Sequence, residues 1–272
     1  MTAATADMHA WLAALTLPPA TAVQQRIPKK MLTEHAAATA ADRKLVQERI
    51  DTLTWHASLK PGNVGVAAYE DALRCYLEIA VLTLQLRPAA EQRQALHSSP
   101  GSIRRLAELI HRAIPYPVVL LIEAGHELIV SMAHIRWAQR EAGKTVLDGE
   151  PILASVTPPA EHNPMLGAYR QFLLALNLGK QPHAHMLALY QTWFDTLSAW
   201  QVATLSGHFR LSATPEQAEE RRAALFLCRE LDERIAATRR TAAREKQVAR
   251  QVAINLELKA LLAERERVAQ GL

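Results

Sequence analysis

The sequence predicts an α+β (or α/β) fold: a mixed, largely antiparallel sheet of about four or five strands covered by helices, followed by an all-helical C-terminal region. Three observations predict it. Nearly unbroken apolar runs such as Pro117-Val118-Val119-Leu120-Leu121-Ile122 have the signature of strands buried on both faces. Segments with apolar residues at helical spacing flank those runs. Beyond Pro158-Pro159 strand character largely disappears, and after Pro215 neither glycine nor proline interrupts the chain until its last residues. At 272 residues and 49% hydrophobic the chain can bury a full core, and abundant alanine with only 5% aromatics favours closely packed helices over an all-β sandwich.

Met8 to Leu17 reads as a short helix stopped by Pro18-Pro19, since proline lacks an amide proton and restricts its predecessor. A connector carrying Arg26, Lys29 and Lys30 follows. Asp42 to Trp55 reads as a helix, with Leu45, Val46, Ile50, Leu53 and Trp55 as its apolar stripe. Lys60-Pro61-Gly62-Asn63 breaks the chain, and Cys75 to Leu86 is rich in β-branched and alternating residues, which predicts a strand. Ile79, Val81 and Thr83 would face one side of it, and Leu82, Leu84 and Leu86 the other. Ser102 caps a predicted helix through Ala113, ended by Pro115. Val118 to Ile122 and Glu127 to Arg136 form a predicted hairpin around Gly125. Thr145 to Val156 suggests a further pair of strands around Asp148-Gly149.

Pro158-Pro159 marks the best boundary, giving an α+β domain over 1–158, a helical region over 159–212 and a long charged helix or helical hairpin over 213–272. Met165 to Leu178 and His185 to Leu205 read as helices, the second with an aromatic stripe of Tyr190, Trp193, Phe194, Leu197 and Trp200 that reads as packing. Thr214-Pro215-Glu216-Gln217 is a helix start with a threonine cap and a capping-box glutamine. One continuous helix from there would be roughly 80 Å long at about 1.5 Å per residue. It must fold back, project or pair. A heptad seam runs through Cys228, Leu231, Ile235, Thr238, Ala242, Glu245, Ala249, Val252 and Leu256, but its middle is weak, and a turn near Thr238 to Lys246 is the alternative to a straight coiled-coil-like arm.

The net charge of +4 is slight and decides no partner by itself. Cys75 and Cys228 lack CxxC partners, which fits a reducing compartment and excludes a cysteine zinc site. The N-terminus lacks a signal-peptide pattern and no window approaches about 20 apolar residues, so a cytoplasmic location is expected. Among polar clusters, His134, Arg136, Trp137 and Lys144 emerge from the predicted hairpin. Arginine and lysine there suit a phosphate or carboxylate. The plainer reading packs Trp137 under a loop, pairs Arg136 with Glu141 and makes His134 structural. Lys29 and Lys30 either join that cluster in space or are solvated. His183-Ala184-His185 supplies at most two metal ligands, so no metal and no cofactor is expected. Glu70, Asp71, Glu78 and Glu123 could serve a nuclease only by converging on a metal ion. Phosphate-loop, dinucleotide and nucleophile-elbow motifs are absent. Arg239, Arg240, Arg244, Lys246 and Arg250 form the densest basic run, a nucleic-acid candidate whose simpler reading is a solvated face balanced by acidic residues at the start of the same helix.

Ile27-Pro28-Lys29-Lys30, the stretch Trp55 to Pro61, the Tyr76 to Leu86 strand, Ile114 to Val119, and Ala133 to Trp137 with Glu141 to Lys144 occur in that order. The series resembles an uncharacterised bacterial family, the domain of unknown function numbered 4391, over roughly the whole chain. Where members tend to have His-Lys-Arg-Trp, this chain has His134-Ile135-Arg136-Trp137. The resemblance implies no activity; it implies a setting beside DNA methyltransferases and helicases of restriction or phage-defence clusters. The expectation is a non-catalytic accessory or adaptor protein acting through protein contacts, with such a methyltransferase or helicase, or a second copy joined through the C-terminal helix, as partner. The alternatives are a nucleic-acid-processing enzyme with a nuclease-like core and a direct nucleic-acid binder using the C-terminal basic residues.

Overall fold

The computed structural model of the chain describes residues 3–87, 100–139, 141 and 143–272, so Ala142 of the Glu141 to Lys144 stretch lies outside the described residues. Two compact units are present, Met1–Leu197 and Ser198–Leu272. The first holds a six-stranded sheet. Its strands are β1 Ala22–Arg26, β2 Ile50–Leu59, β5 Ile79–Leu86, β6 Val118–Ala124, β7 Glu127–Trp137 and β8 Thr145–Ser155, hydrogen-bonded in that order. Only β5 and β6 are parallel; every other neighbouring pair is antiparallel. A small ribbon of β3 Tyr69–Glu70 and β4 Cys75–Tyr76 forms a separate two-stranded sheet beside β7.

Both faces of the sheet are covered, as the two-sided apolar pattern requires. On one face Ala80, Leu82 and Leu84 of β5 and Val118, Leu120 and Ile122 of β6 meet Leu32 of α2 Lys29–His35, Val46 of α3 Ala40–Arg49, and Ile103, Leu106 and Ile110 of α5 Pro100–Ala113. α4 Pro61–Val64 is a single turn after β2. On the other face α1 Ala3–Ala14 packs on β6 and β7, with α6 Leu166–Ala175 against it. α7 Met186–Ser206 begins there too: the Tyr190 hydroxyl accepts from Ala133 N at 3.0 Å and lies within donating distance of Val118 O and Ala133 O.

Several expectations are corrected. The helix expected over Asp42 to Trp55 ends at Arg49, and the next residues form β2. Thr39 starts α3 by accepting from Asp42 N, and the buried Asp42 carboxylate receives Nε and Nη2 of Arg105 at 2.8 Å each, which holds its pKa down to about 2. The sheet therefore has six strands rather than four or five. Cys75 to Leu86 is split between β4 and β5. Thr145 to Val156 is no hairpin: β8 runs on through Gly149, whose φ of +88° admits a kink, and the β7–β8 register shifts between Met132 and His134. The β6–β7 hairpin is as expected, with Ala124 paired to Glu127 across a two-residue loop that starts at Gly125.

In the second unit, α8 Pro215–Arg244 and α9 Val248–Ala269 form a helical hairpin that turns over 245–247. Thr214 caps α8 by accepting from Gln217 N. Leu231 and Ile235 pack on Leu261, with Leu258 and Val268 alongside; Asp232 pairs with Arg265 at 3.2 Å, and Arg221 donates to Leu272 O. The buried seam of α8 ends near Ala242. Ala249, Val252 and Leu256, expected to continue it, face solvent, because the fold-back presents Leu258 and Leu261 to α8 instead. No helix among the described residues is long and apolar enough to cross a membrane.

Candidate functional site

The distal half of β7 and its pairing with β8 place the polar rim. The register sets His134 opposite Asp148, Arg136 opposite Val146 and Trp137 opposite Thr145. Strand alternation puts His134 and Arg136 on one face. His134 enters an aromatic cluster: its Nδ1 lies 2.6 Å from the Tyr76 hydroxyl, and its ring centroid is 5.4 Å from Tyr190 and 4.6 Å from Phe194. Burial pushes the Tyr76 and Tyr190 phenols well above their ordinary range, so both remain neutral. Arg136 approaches Asp148 at 3.8 Å, and Arg74 from the β3–β4 ribbon reaches the other oxygen of that carboxylate at 3.3 Å. Arg136 thus pairs with Asp148 rather than Glu141, whose carboxylate instead takes Lys144. Trp137 is half-buried and its backbone N–H donates to Leu73 O at 2.8 Å.

Four residues close in sequence are therefore dispersed among four separate local partners. Lys29 and Lys30 do not join them. They follow β1, and three strands separate β1 from β7, roughly 19 Å at about 4.8 Å per strand. Lys29 donates to Ile50 O, tying α2 to the start of β2 beside a pocket of 320 Å³ that it lines with Arg26 and Asp51. Burial, then repulsion from Arg87 and Arg26, lowers its pKa against the attraction of Asp51. Lys30 forms an exposed pair with Glu34.

A pocket of 460 Å³ opens between α5 and the β7–β8 pair, where Arg136 and Arg112 meet Thr145 and His111. Its size suits a small ligand, but strand alternation and the pair with Asp148 take the Arg136 guanidinium to the opposite face of β7, and Arg112 pairs with Glu108 at 2.6 Å, so the two do not converge on one anion. The sequence reading missed its floor: His111 is fully buried with Nε2 2.9 Å from Ser131 Oγ. The available signal is a histidine beside the apolar stripe of a helix, next to Ile110. Burial lowers the His111 pKa to about 3, so the imidazole is a poor general base for that serine near neutrality. The pair stitches α5 to the centre of β7.

The carboxylates considered for a metal-dependent nuclease go to separate partners. Glu78 accepts from Ser58 Oγ and pairs with Lys60 at 3.5 Å; Glu123 accepts from Gln85; Asp71 accepts from Tyr69 OH and from Leu73 N and Arg74 N in its own turn. His185 stacks on Tyr69 and accepts from Ala188 N, capping the start of α7. Among the described residues no group of three or more His, Cys, Asp or Glu could hold a metal ion. Cys75 and Cys228 are buried and free, and burial raises both thiol pKa values. Arg239, Arg240, Arg244, Lys246 and Arg250 gather around the turn of the α8–α9 hairpin, all exposed.

The family model described as Domain of unknown function (DUF4391) matches residues 15–264. Comparison with curated proteins and with solved structures found no match. The chain belongs to the DUF4391 family.

Proposed function

We propose that this DUF4391 member is a non-catalytic accessory protein that acts through protein contacts, in a bacterial DNA-modification or phage-defence assembly. The observation that carries the reading is the outer face of α9. There Val248, Val252 and Leu256, spaced one turn apart, are 74%, 54% and 64% exposed although the opposite face of the same helix is occupied by α8. A large apolar side chain exposed singly is ordinary, whereas a stripe at helical spacing fits a partner helix or groove. Support also comes from the polar residues of β7, which are held by Tyr76, Asp148 and neighbouring backbone rather than converging on one reacting position. The setting beside methyltransferases and helicases is what the family resemblance implies, and it names the partners to try first.

The test is co-expression of the full chain with the methyltransferase or helicase of its own gene cluster, followed by size-exclusion chromatography with light scattering. A stable complex is expected, and Leu256→Asp, an exposed change, is expected to weaken it at least about tenfold, since a buried anchor lost to a charge typically costs more than about 1.4 kcal/mol. Recovery of the chain as a free monomer with both candidate partners present counts against the adaptor reading. A mass of twice the chain, lost in the same variant, replaces the foreign partner with a second copy.

A further inference from the structure

We propose that the turn of the α8–α9 hairpin is a nucleic-acid-binding tip that takes the phosphodiester backbone without reading sequence. The inference is independent of the adaptor reading, because it rests on charge rather than on the apolar stripe. Between Arg239 and Arg250 the chain carries five basic residues and one acidic residue, a net +4 that equals the net charge of all 272 residues. The remainder of the chain is balanced, so the whole excess sits in twelve residues.

In sequence, the acidic residues at the start of α8 offset this run; in space they do not. Glu216, Glu219 and Glu220 lie more than about 25 Å along the helix axis from Arg239, at about 1.5 Å per residue. Apart from Glu245, the nearest carboxylates along the two helices are Glu233, about 9 Å along the axis from Arg239, and Glu257, about 10 Å from Arg250. Arg244 and Lys246, nearest the turn, lie beyond the screening length of about 10 Å at 0.1 M salt from both. Glu245 itself is engaged locally, one oxygen accepting from Lys246 N and Gln247 N at 2.8 Å each. Among the described residues the five basic side chains make no ion pair, and all are exposed. The cations are thus available together at one turn, and the fold-back brings Arg250 of α9 to the same end as Arg240 and Arg244 of α8.

The chemistry favours phosphates. Four of the five are arginines, whose planar fork matches phosphate oxygens and holds its charge throughout the working pH range. Arg240 and Arg244 are one turn apart on the same side of α8. The exposed apolar residues beside the turn, Val248, Val252 and Leu256, lack the Trp and Phe of a membrane-inserting face.

The test uses the full chain and a fluorescent DNA duplex of about 20 base pairs, with anisotropy read between about 50 and 200 mM salt. If three to five phosphates are neutralised, the logarithm of affinity should fall with that of salt at a slope near −3 to −4.5, a loss of about a hundredfold across this range. The double change Arg240→Gln, Arg244→Gln should shallow the slope by about 2 and weaken binding at least tenfold at the low-salt end, while Arg240→Lys, Arg244→Lys should keep the slope. Circular dichroism verifies that helix content is unchanged in both. Absent or salt-independent binding overturns the proposal. So does a slope unaffected by the glutamine pair, or binding of phosphatidylserine vesicles with none of the duplex.

Discussion

His111 shows how a single side chain can be polar, buried and structural at once. Its imidazole faces Ser131 Oγ at 2.9 Å in the interior, and burial holds its pKa near 3 against an ordinary 6.5. Below pH 6.5 the unfolded chain takes up a proton that the folded chain refuses, so the unfolded state binds more protons and stability falls as the pH is lowered toward 3. Between pH 6.5 and 5 the loss should be about 2 kcal/mol. Urea denaturation across that window tests it: His111→Gln should flatten the dependence, and an unaltered slope in the variant would show that His111 does not set it. In the sequence His111 is one polar letter beside Ile110. Its partner, twenty positions away on β7, is settled only by how α5 lies on the sheet. Arg136 carries the same lesson. Glu141 is near in sequence, but the strand register brings Asp148 closer.

At the level of elements, what was legible followed local periodicity, and what was not depended on tertiary context. The β6–β7 hairpin was readable because Val118 to Ile122 is unbroken, Gly125 supplies the turn, and both strands are central. β2 was misread because Val46, Ile50 and Leu53 keep helical spacing across the junction at Arg49, and all three enter the same core. Thr52 and Thr54 were the strand signal, masked by that stripe. The Asp148-Gly149 pair suggested a turn, yet here it kinks one edge strand. At the other edge β1 is short, exposed and carries Gln24 at φ +53°, features that discourage further strand pairing. The hairpin makes a direct prediction: Leu261→Ala, in the buried seam with Leu231 and Ile235, should lower stability by about 2 to 4 kcal/mol. Leu256→Ala, five residues earlier and on the outer face, should stay within about 0.5 kcal/mol. Equal losses in urea denaturation would mean that α9 presents a different face to α8.

For the whole molecule, division of labour follows from composition within each unit. The sheet unit spends its polar side chains on internal ties: Asp42 on Arg105, Ser58 and Lys60 on Glu78, Tyr76 on His134. The helical unit leaves an apolar stripe on α9 and a concentrated positive charge at its turn. Family membership was legible from ordered motifs spread along the chain, and the family model covers residues 15–264. The proposed contact face was less legible, because exposure of a helix face depends on whether α9 runs on or folds back. The central claim is that contacts with a partner protein are made by the outer face of α9. Hydrogen–deuterium exchange on the full chain, alone and with its co-purifying partner, tests it most directly: the account predicts new protection over Val248 to Leu256, and protection confined to the β7–β8 rim with α9 unchanged would contradict it.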